Sequence, residues 1–377
     1  MLARLKPFLI PLLLMIVSGI LYESKIHRQM VDFGVYRTAA VRARAAEPLY
    51  RTEDGHYQFK YLPAFAIAMM PFAILHNDAA KAIWFFLSVG LLAGYVYWSV
   101  RGLPSRRRSK GTLIGLTVLL MAKFYGHELT LGQTNVLFGS ILVAALLAAQ
   151  ADRSVLSGAL IGAAVFVKPY ALVLLPWIGF TYGAAAASAC FAVLAAGLLL
   201  PAAVYGWAGN IDLLVAWFRT VTESTAPNLL SNDNISLAAM WAKWLGPGSV
   251  ASRLAAASGA AALGLAAAIW LRRRRVDHPD YLEIALLMLL IPLLSPQGWD
   301  YVLLLSTPAV IYLLDRWPKM SRGWRIFTGV SLALMCFTIF DLMGRVLYGR
   351  LMAMSIVSLA ALGVAVALAH LRWRAIA

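Results

Sequence analysis

The amino-acid sequence predicts an all-α polytopic membrane protein with about twelve transmembrane helices and an amphipathic first outer loop. Two observations carry that prediction. The 377 residues are 61% hydrophobic and only 13% charged, with a mean hydropathy of +0.75, well above the apolar share of a soluble domain. Apolar runs also recur from one end of the chain to the other, with no polar stretch long enough to fold separately. One integral membrane domain over residues 1–377 is expected.

A span needs roughly 17–25 apolar residues, fewer inside a bundle. Spans are predicted near residues 7–22, 80–100, 111–125, 134–150, 154–168, 170–183, 184–205, 248–271, 281–295, 300–315, 324–342 and 350–371. The first, within "MLARLKPFLIPLLLMIVSGILYESK", resembles a signal peptide but has no clear small-residue cleavage site, so it is read as a retained span. The stretch "YLPAFAIAMMPFAIL", Tyr61 to Leu75, is short and carries Pro63 and Pro71. It is expected to form an interfacial or re-entrant helix on the outer side. Ala-rich spans suit close helix packing. Cys190 and Cys336 both lie in apolar runs and read as packing residues, which leaves no disulfide framework or CxxC site.

The net charge of +16 could suggest a nucleic-acid partner, which would need a continuous basic face. Here the positive residues fall in short blocks between apolar runs, the mark of cytoplasmic loops. With Arg4 and Lys6 cytoplasmic, the blocks "RGLPSRRRSK" (101–110), "LRRRRVDHP" (271–279), "DRWPKMSRGWR" (315–325) and "LRWR" (371–374) are cytoplasmic too, provided 61–75 does not cross. The expected place is the inner (plasma) membrane, among membrane lipids and without nucleic acid. Every polar constellation then falls on the extracytoplasmic face.

The first is "VDFGVYRTAAVRARAAEPLY", in which a short helix puts Asp32 and Tyr36 on one face, four residues apart. A carboxylate so placed can act as a general base toward a hydroxyl. "LGQTN" (131–135) offers the amides of Gln133 and Asn135 for sugar hydroxyls, or Thr134 or Asn135 as a helix N-cap. His127 and Glu128 just before it lack metal-ligand spacing and read as surface residues. Lys168, followed by Pro169, is a cation in an apolar run beside a helix break. It either snorkels or serves a phosphate or Asp32. The segment 206–247 reads as a loop whose Asn234 lies near substrate, although a turn and N-cap explain much of "NLLSNDNISL". "SPQGWDY" (295–301) brings Gln297, Trp299, Asp300 and Tyr301 to a Pro-Gly break, where an indole can stack on a sugar ring. There is no Walker loop, GxGxxG, GxSxG or HExxH motif.

Taken in order, "DFGVYRTAA", "FKYLPAFAIAMMPF", "LGQTNVLFGSILVAALL", "GALIGAAVFVKPYALVLLPW", "NISL" and "LSPQGWDY" resemble the bacterial polyprenol-phosphate-mannose-dependent mannosyltransferases, membrane enzymes of the GT-C fold. The resemblance implies that Asp32 is the catalytic base. It implies an inverting transfer of a hexose, mannose foremost, from a polyprenyl-phosphate donor to a hydroxyl of a lipid or glycan acceptor. It further implies that "GQTN", Lys168 and "SPQGW" line the site. The last motif departs from the family pattern, in which Ser precedes the Trp and His follows it two places on; here Gly298 and Tyr301 occupy those places. A departing polyprenyl phosphate needs cations more than an acid, and Arg37, Lys60 and Lys168 are the candidates. No metal cage is visible, so metal-independent chemistry without a cofactor is expected. The rival reading is a lipid or glycan transporter or flippase, whose inverted repeats are not evident.

Overall fold

The computed structural model describes residues 15–376; Arg4, Lys6 and residues 7–14 of the first predicted span lie outside the described residues. Among the described residues every regular element is helical, and the sole strand-like contact is an isolated bridge between Asn234 and Trp299. The chain is an all-α polytopic membrane protein. α1 (Met15–Ser24) leads to three shorter helices, α2 (Val31–Arg44), α3 (Pro63–Ala68) and α4 (Met70–Ile74). α5 (Asn77–Arg101), α6 (Lys110–Leu131), α7 (Asn135–Gln150), α8 (Ser154–Val167), α9 (Leu175–Tyr182) and α10 (Ala184–Leu199) follow where spans were predicted. After α11 (Ala202–Glu223), α12 (Thr225–Asn228) and α13 (Leu237–Leu245) come α14 (Ser249–Leu271), α15 (Asp280–Leu294), α16 (Thr307–Arg316), α17 (Arg322–Phe337), α18 (Phe340–Ala353) and α19 (Ile356–Ile376).

α3 and α4 each begin with a proline in the first turn, where its missing N–H costs nothing. At about 1.5 Å per residue each reaches less than about 10 Å, far short of a bilayer core.

Judged by length and composition, α5, α14 and α19 are each long and apolar enough to cross a membrane alone. Three bent pairs pass together: α6 with α7, α10 with α11–α12, and α17 with α18, bent by 119°, 90° and 100°. The first pair is a hairpin. The Arg107 and Arg108 backbone N–H groups just before α6 donate to Asp315, and Gln150 at the end of α7 donates to the carbonyl of Gly102, so both outer ends of the hairpin meet the 102–108 turn. In the other two pairs the second helix turns aside. Residues 206–223 were expected as loop, but they are most of α11, whose exposed Trp207, Ile211, Val215 and Phe218 recur at helical spacing. α18 likewise interrupts the stretch between the last two predicted spans and exposes Leu342, Val346 and Leu347.

The basic blocks share one end of the bundle. Arg316 donates to Pro104, Arg273 pairs with Asp280, and Arg372 reaches Glu283 and Pro279. From that end α6, α8 and α15 run about 20–33 Å at helical rise to Gln133, Lys168 and Ser295 at the other.

α8 and α10 touch backbone to backbone. A Cβ on Gly158 would stand 2.0 Å from the carbonyl oxygen of Ala186, and one on Gly162 would stand 2.7 Å from that of Cys190. Cys190 is fully buried in this seam. Gly158→Val is expected to wedge the helices apart, costing about 1–3 kcal/mol or more as overpacking does. It should lower the melting midpoint in detergent, while Gly115→Ala, inside α6 where a Cβ meets nothing within 4 Å, does not lower it.

Candidate functional site

The end of the bundle opposite the basic blocks holds a cavity of about 290 Å³, at the small end for ligand pockets. Helix breaks deliver its polar side chains. α6 stops at Gly132, whose φ of +68° is left-handed and whose Cβ would sit 2.8 Å from Phe33 Cβ, so only glycine fits. The next residue, Gln133, turns into the cavity. Met30 donates its backbone N–H to Thr130 at 2.9 Å, which pins the start of α2 to the end of α6 and sets Asp32 beside Gln133.

Gln133 Nε2 donates to Asp32 Oδ2 at 2.7 Å, and its Oε1 accepts from the Tyr36 hydroxyl at 3.1 Å. Tyr36 shares a 2.8 Å hydrogen bond with Tyr61, whose hydroxyl meets Thr134 Oγ1 at 3.1 Å. Gln133 Nε2 also lies 3.4 Å from the Tyr301 hydroxyl. Tyr301 and Trp299 stack with planes 9° apart. The α2 stripe is therefore as the spacing predicted: Asp32 and Tyr36 share a face, and both line the cavity.

Lys60 and Lys168 also line it. α8 ends at Val167, and Lys168 adopts extended backbone before Pro169, with its ammonium 5.7 Å from the centre of the Tyr61 ring. Burial pushes the Asp32 carboxyl above its ordinary value, opposed by the Gln133 hydrogen bond and then by the charges of Lys168, His56 and Lys60. Burial pushes Lys60 down, and the charge of Asp32 opposes that.

Gln297 lines the cavity with its amide nitrogen held by Ser224 and Thr225 hydroxyls. Gly298 is fixed by space: a Cβ there would fall 1.8 Å from the carbonyl oxygen of Pro292.

Four expected site residues are placed elsewhere. Arg37 donates to the carbonyl of Leu75 at 2.9 Å, tying α2 to the end of α4 and away from the cavity. Asn135 is buried and donates to Glu128, whose other oxygen accepts the Val136 N–H. Glu128, expected at the surface, is fully buried and is the true cap of α7; Thr134, at the N-cap position, makes no capping bond. Asn234 is buried and spends its amide on the carbonyls of Asn228 and Pro296 and on the Ser236 N–H, fastening the 228–236 segment to the "SPQGW" turn. Asp300 turns away from the cavity to Lys123. Tyr61, His56 and Trp217 line the cavity without having been singled out. Trp217 was hidden in the supposed loop, and nothing distinguishes Tyr61 from other interfacial aromatics. Among the described residues no three of His, Cys, Asp and Glu gather where they could hold a metal ion.

The profile of Glycosyltransferase family 87 matches residues 59–296, more than half of the chain. The chain belongs to glycosyltransferase family 87. No curated protein and no solved structure matches it. The matched segment of this membrane glycosyltransferase contributes Lys60, Gln133, Lys168 and Trp217 to the cavity, while α2 with Asp32 and the Trp299–Tyr301 turn enter from either side of it.

Behind that turn Lys123 Nζ stands 2.6 Å from Asp300 Oδ2, both side chains at most 3% exposed. Removing one partner of such a pair strands a buried charge. Asp300→Asn is expected to lose about 3–5 kcal/mol of stability, and Lys123→Met with Asp300→Leu should recover most of it. An unchanged melting midpoint in the single variant would contradict the buried pair.

Proposed function

We propose that this glycosyltransferase moves a hexose, mannose foremost, from a polyprenyl-phosphate donor to a hydroxyl of a lipid or glycan acceptor on the extracytoplasmic face of the inner membrane. The observation that carries the proposal is a half-buried carboxylate, Asp32, held by Gln133 in a cavity that also presents Lys60 and Lys168. Family membership supplies glycosyl transfer. The lack of any nucleotide motif in the sequence favours a lipid-linked donor, and basic loops at the opposite end of the bundle favour an extracytoplasmic site. The architecture the resemblance implies is GT-C-like.

In the proposed step Asp32 takes the acceptor proton as the acceptor oxygen bonds to the anomeric carbon. The bond from that carbon to the phosphate oxygen breaks with its electron pair going to the phosphate, and the anomeric centre inverts. The departing polyprenyl phosphate carries its own charge, which Lys60 and Lys168 offset. Gln133 holds the carboxylate through one oxygen and leaves the other for the acceptor. Trp299 and Tyr301 offer stacked rings to a sugar. A transporter would need none of this base geometry.

Asp32→Asn keeps the shape and removes the base. Turnover is expected to fall by about 10²-fold or more while donor binding persists, in an assay with radiolabelled polyprenyl-phosphate hexoses and a lipid extract. Turnover near wild type would remove Asp32 from the mechanism.

The pH dependence follows from the burial of Asp32. Burial raises its carboxyl above the ordinary value, and it must be ionised to act, so kcat/KM rises with pH through a limb above the ordinary carboxylate range. The Lys168 charge lowers that value, so Lys168→Met should move the limb to higher pH as well as weaken donor use. A limb that stays in place would show that Lys168 does not act on Asp32.

A further inference from the structure

A second cavity, of about 360 Å³, lies on another stripe of α2 and is lined by Val31, Gly34, Thr38, Arg42, Asp54 and Phe59. It shares Val35 and Tyr57 with the cavity that holds Asp32. At 100° per residue, Val31, Gly34, Thr38 and Arg42 form one stripe and Asp32 and Tyr36 the next, with Val35 between them. α2 is thus the wall between two chambers, and Asp32 lies along the Val35 edge.

The two chambers differ in charge. The first sets Lys60 and Lys168 against Asp32 alone, a positive balance suited to phosphate. In the second Arg42 binds both oxygens of Asp54, and that pairing holds the Asp54 carboxyl below its ordinary value. Its lining is neutral in sum yet rich in donors and acceptors, with the Thr38 and Tyr57 hydroxyls nearby and the Phe59 ring in the wall. That is the chemistry of a neutral polyhydroxylated ligand. Gly34 points the same way. It sits inside a helix, where glycine is unfavourable relative to alanine. Its φ is not left-handed, and a Cβ there would meet nothing within 4 Å, so neither backbone nor packing calls for it. What its missing side chain leaves is room in the cavity.

We propose that the second chamber is the acceptor subsite and that it takes a saccharide. The sugar lies on the α2 backbone at Gly34, hydrogen-bonds to the Arg42–Asp54 pair, and passes one hydroxyl over the Val35–Tyr57 divide to Asp32. This rests on the transferase reading above and adds the class of the acceptor and its place.

The test has two arms. With donor saturating, Gly34→Leu keeps a good helix former in α2 and fills the chamber, so acceptor kcat/KM should fall at least about tenfold with the donor KM unchanged. The second arm needs no turnover. Cys190 and Cys336 are buried, so Thr38→Cys would place a single accessible thiol in the chamber. The methyl glycosides of glucose, mannose and galactose are the probes, with dodecyl phosphate representing the donor. At least one glycoside should slow alkylation of the new thiol saturably, Gly34→Leu should abolish that protection, and dodecyl phosphate should not protect. Protection by dodecyl phosphate alone would assign the chamber to the donor lipid, and protection by none of the probes would overturn the proposal. Full turnover by Asp32→Asn would overturn the transferase mechanism instead, and would leave the thiol protection standing.

Discussion

A backbone polar group inside a bilayer must find its partner within the protein, and this constraint decides where the site can be. Helices satisfy it internally, so a break is tolerated only where something else pairs the freed groups or where the break borders a cavity. The breaks at the cavity end do so. Between α6 and α7 the Glu128 carboxylate takes up the Val136 N–H. In the 295–300 turn, the Ile235 N–H donates to Gly298 at 2.7 Å and the Asp300 N–H to Asp233 at 2.9 Å. Lys168 donates its own N–H to Ala164 before Pro169, which has none to satisfy. The residues at the breaks, Gln133, Lys168, Gln297 and Trp299, all reach the cavity, beside Asp32 and Tyr36 from α2. The site is a by-product of paired helix ends, and the glycines at 132 and 298 are the points where the chain leaves no room for any other residue.

Within the cavity the electrostatic balance turns on Asp32. Burial raises the cost of its charge, and one strong hydrogen bond from Gln133 with more distant lysine charges returns part of it. A direct ion pair would hold a carboxylate ionised but spend its lone pairs and lower its basicity. The contrast lies in the same fold: Asp54 is bound on both oxygens by Arg42, and Asp300 faces Lys123. Of these three acids, Asp32 is the one bound by a neutral amide.

Much of the fold was legible in the sequence because two strong signals govern it. Apolar length located the helices, although against twelve expected spans three helices and three bent pairs are long and apolar enough to cross; the Arg and Lys blocks marked ends that lie together, as the contacts of Arg107 with Asp315 and of Arg372 with Glu283 show. The helical stripe of Asp32 and Tyr36 was legible for the same reason, since period alone fixes it. α11 was not, because its apolar residues are interrupted by polar ones at helical spacing and a hydropathy average reads that as loop. Asn135, Asn234 and Asp300 were placed at the correct end but with the wrong aim. Polarity near a helix end reports depth; whether the side chain meets the cavity or a neighbouring backbone depends on helices distant in sequence, such as α6 supplying Lys123 for Asp300. Glu128 is the sharpest case. Its partner groups lie across a left-handed glycine, and no spacing rule links an acid to a helix cap through such a turn.

On the proposed reading a lipid-linked donor and a hydrated acceptor must reach one carboxylate without meeting in open water, and the surfaces of α11 and α2 divide that task. α11 exposes Trp207, Ile211, Val215 and Phe218 on one face, while its other face sends Trp217 into the cavity lining, with the indole N–H held by the carbonyl of Lys60 at 3.1 Å. An apolar stripe of this kind rests in the boundary of a bilayer, which sets the cation-bearing chamber against the lipid side. The first outer loop is fastened to the same helix by Tyr205 to Glu47 and by Gln58 to Thr220, so its 3-10 turn at Thr52–Tyr57 closes over α2 between the two chambers. The lipid phosphate and the acceptor hydroxyl then meet the anomeric carbon from opposite faces, with Asp32 on the acceptor's side, as a single displacement requires.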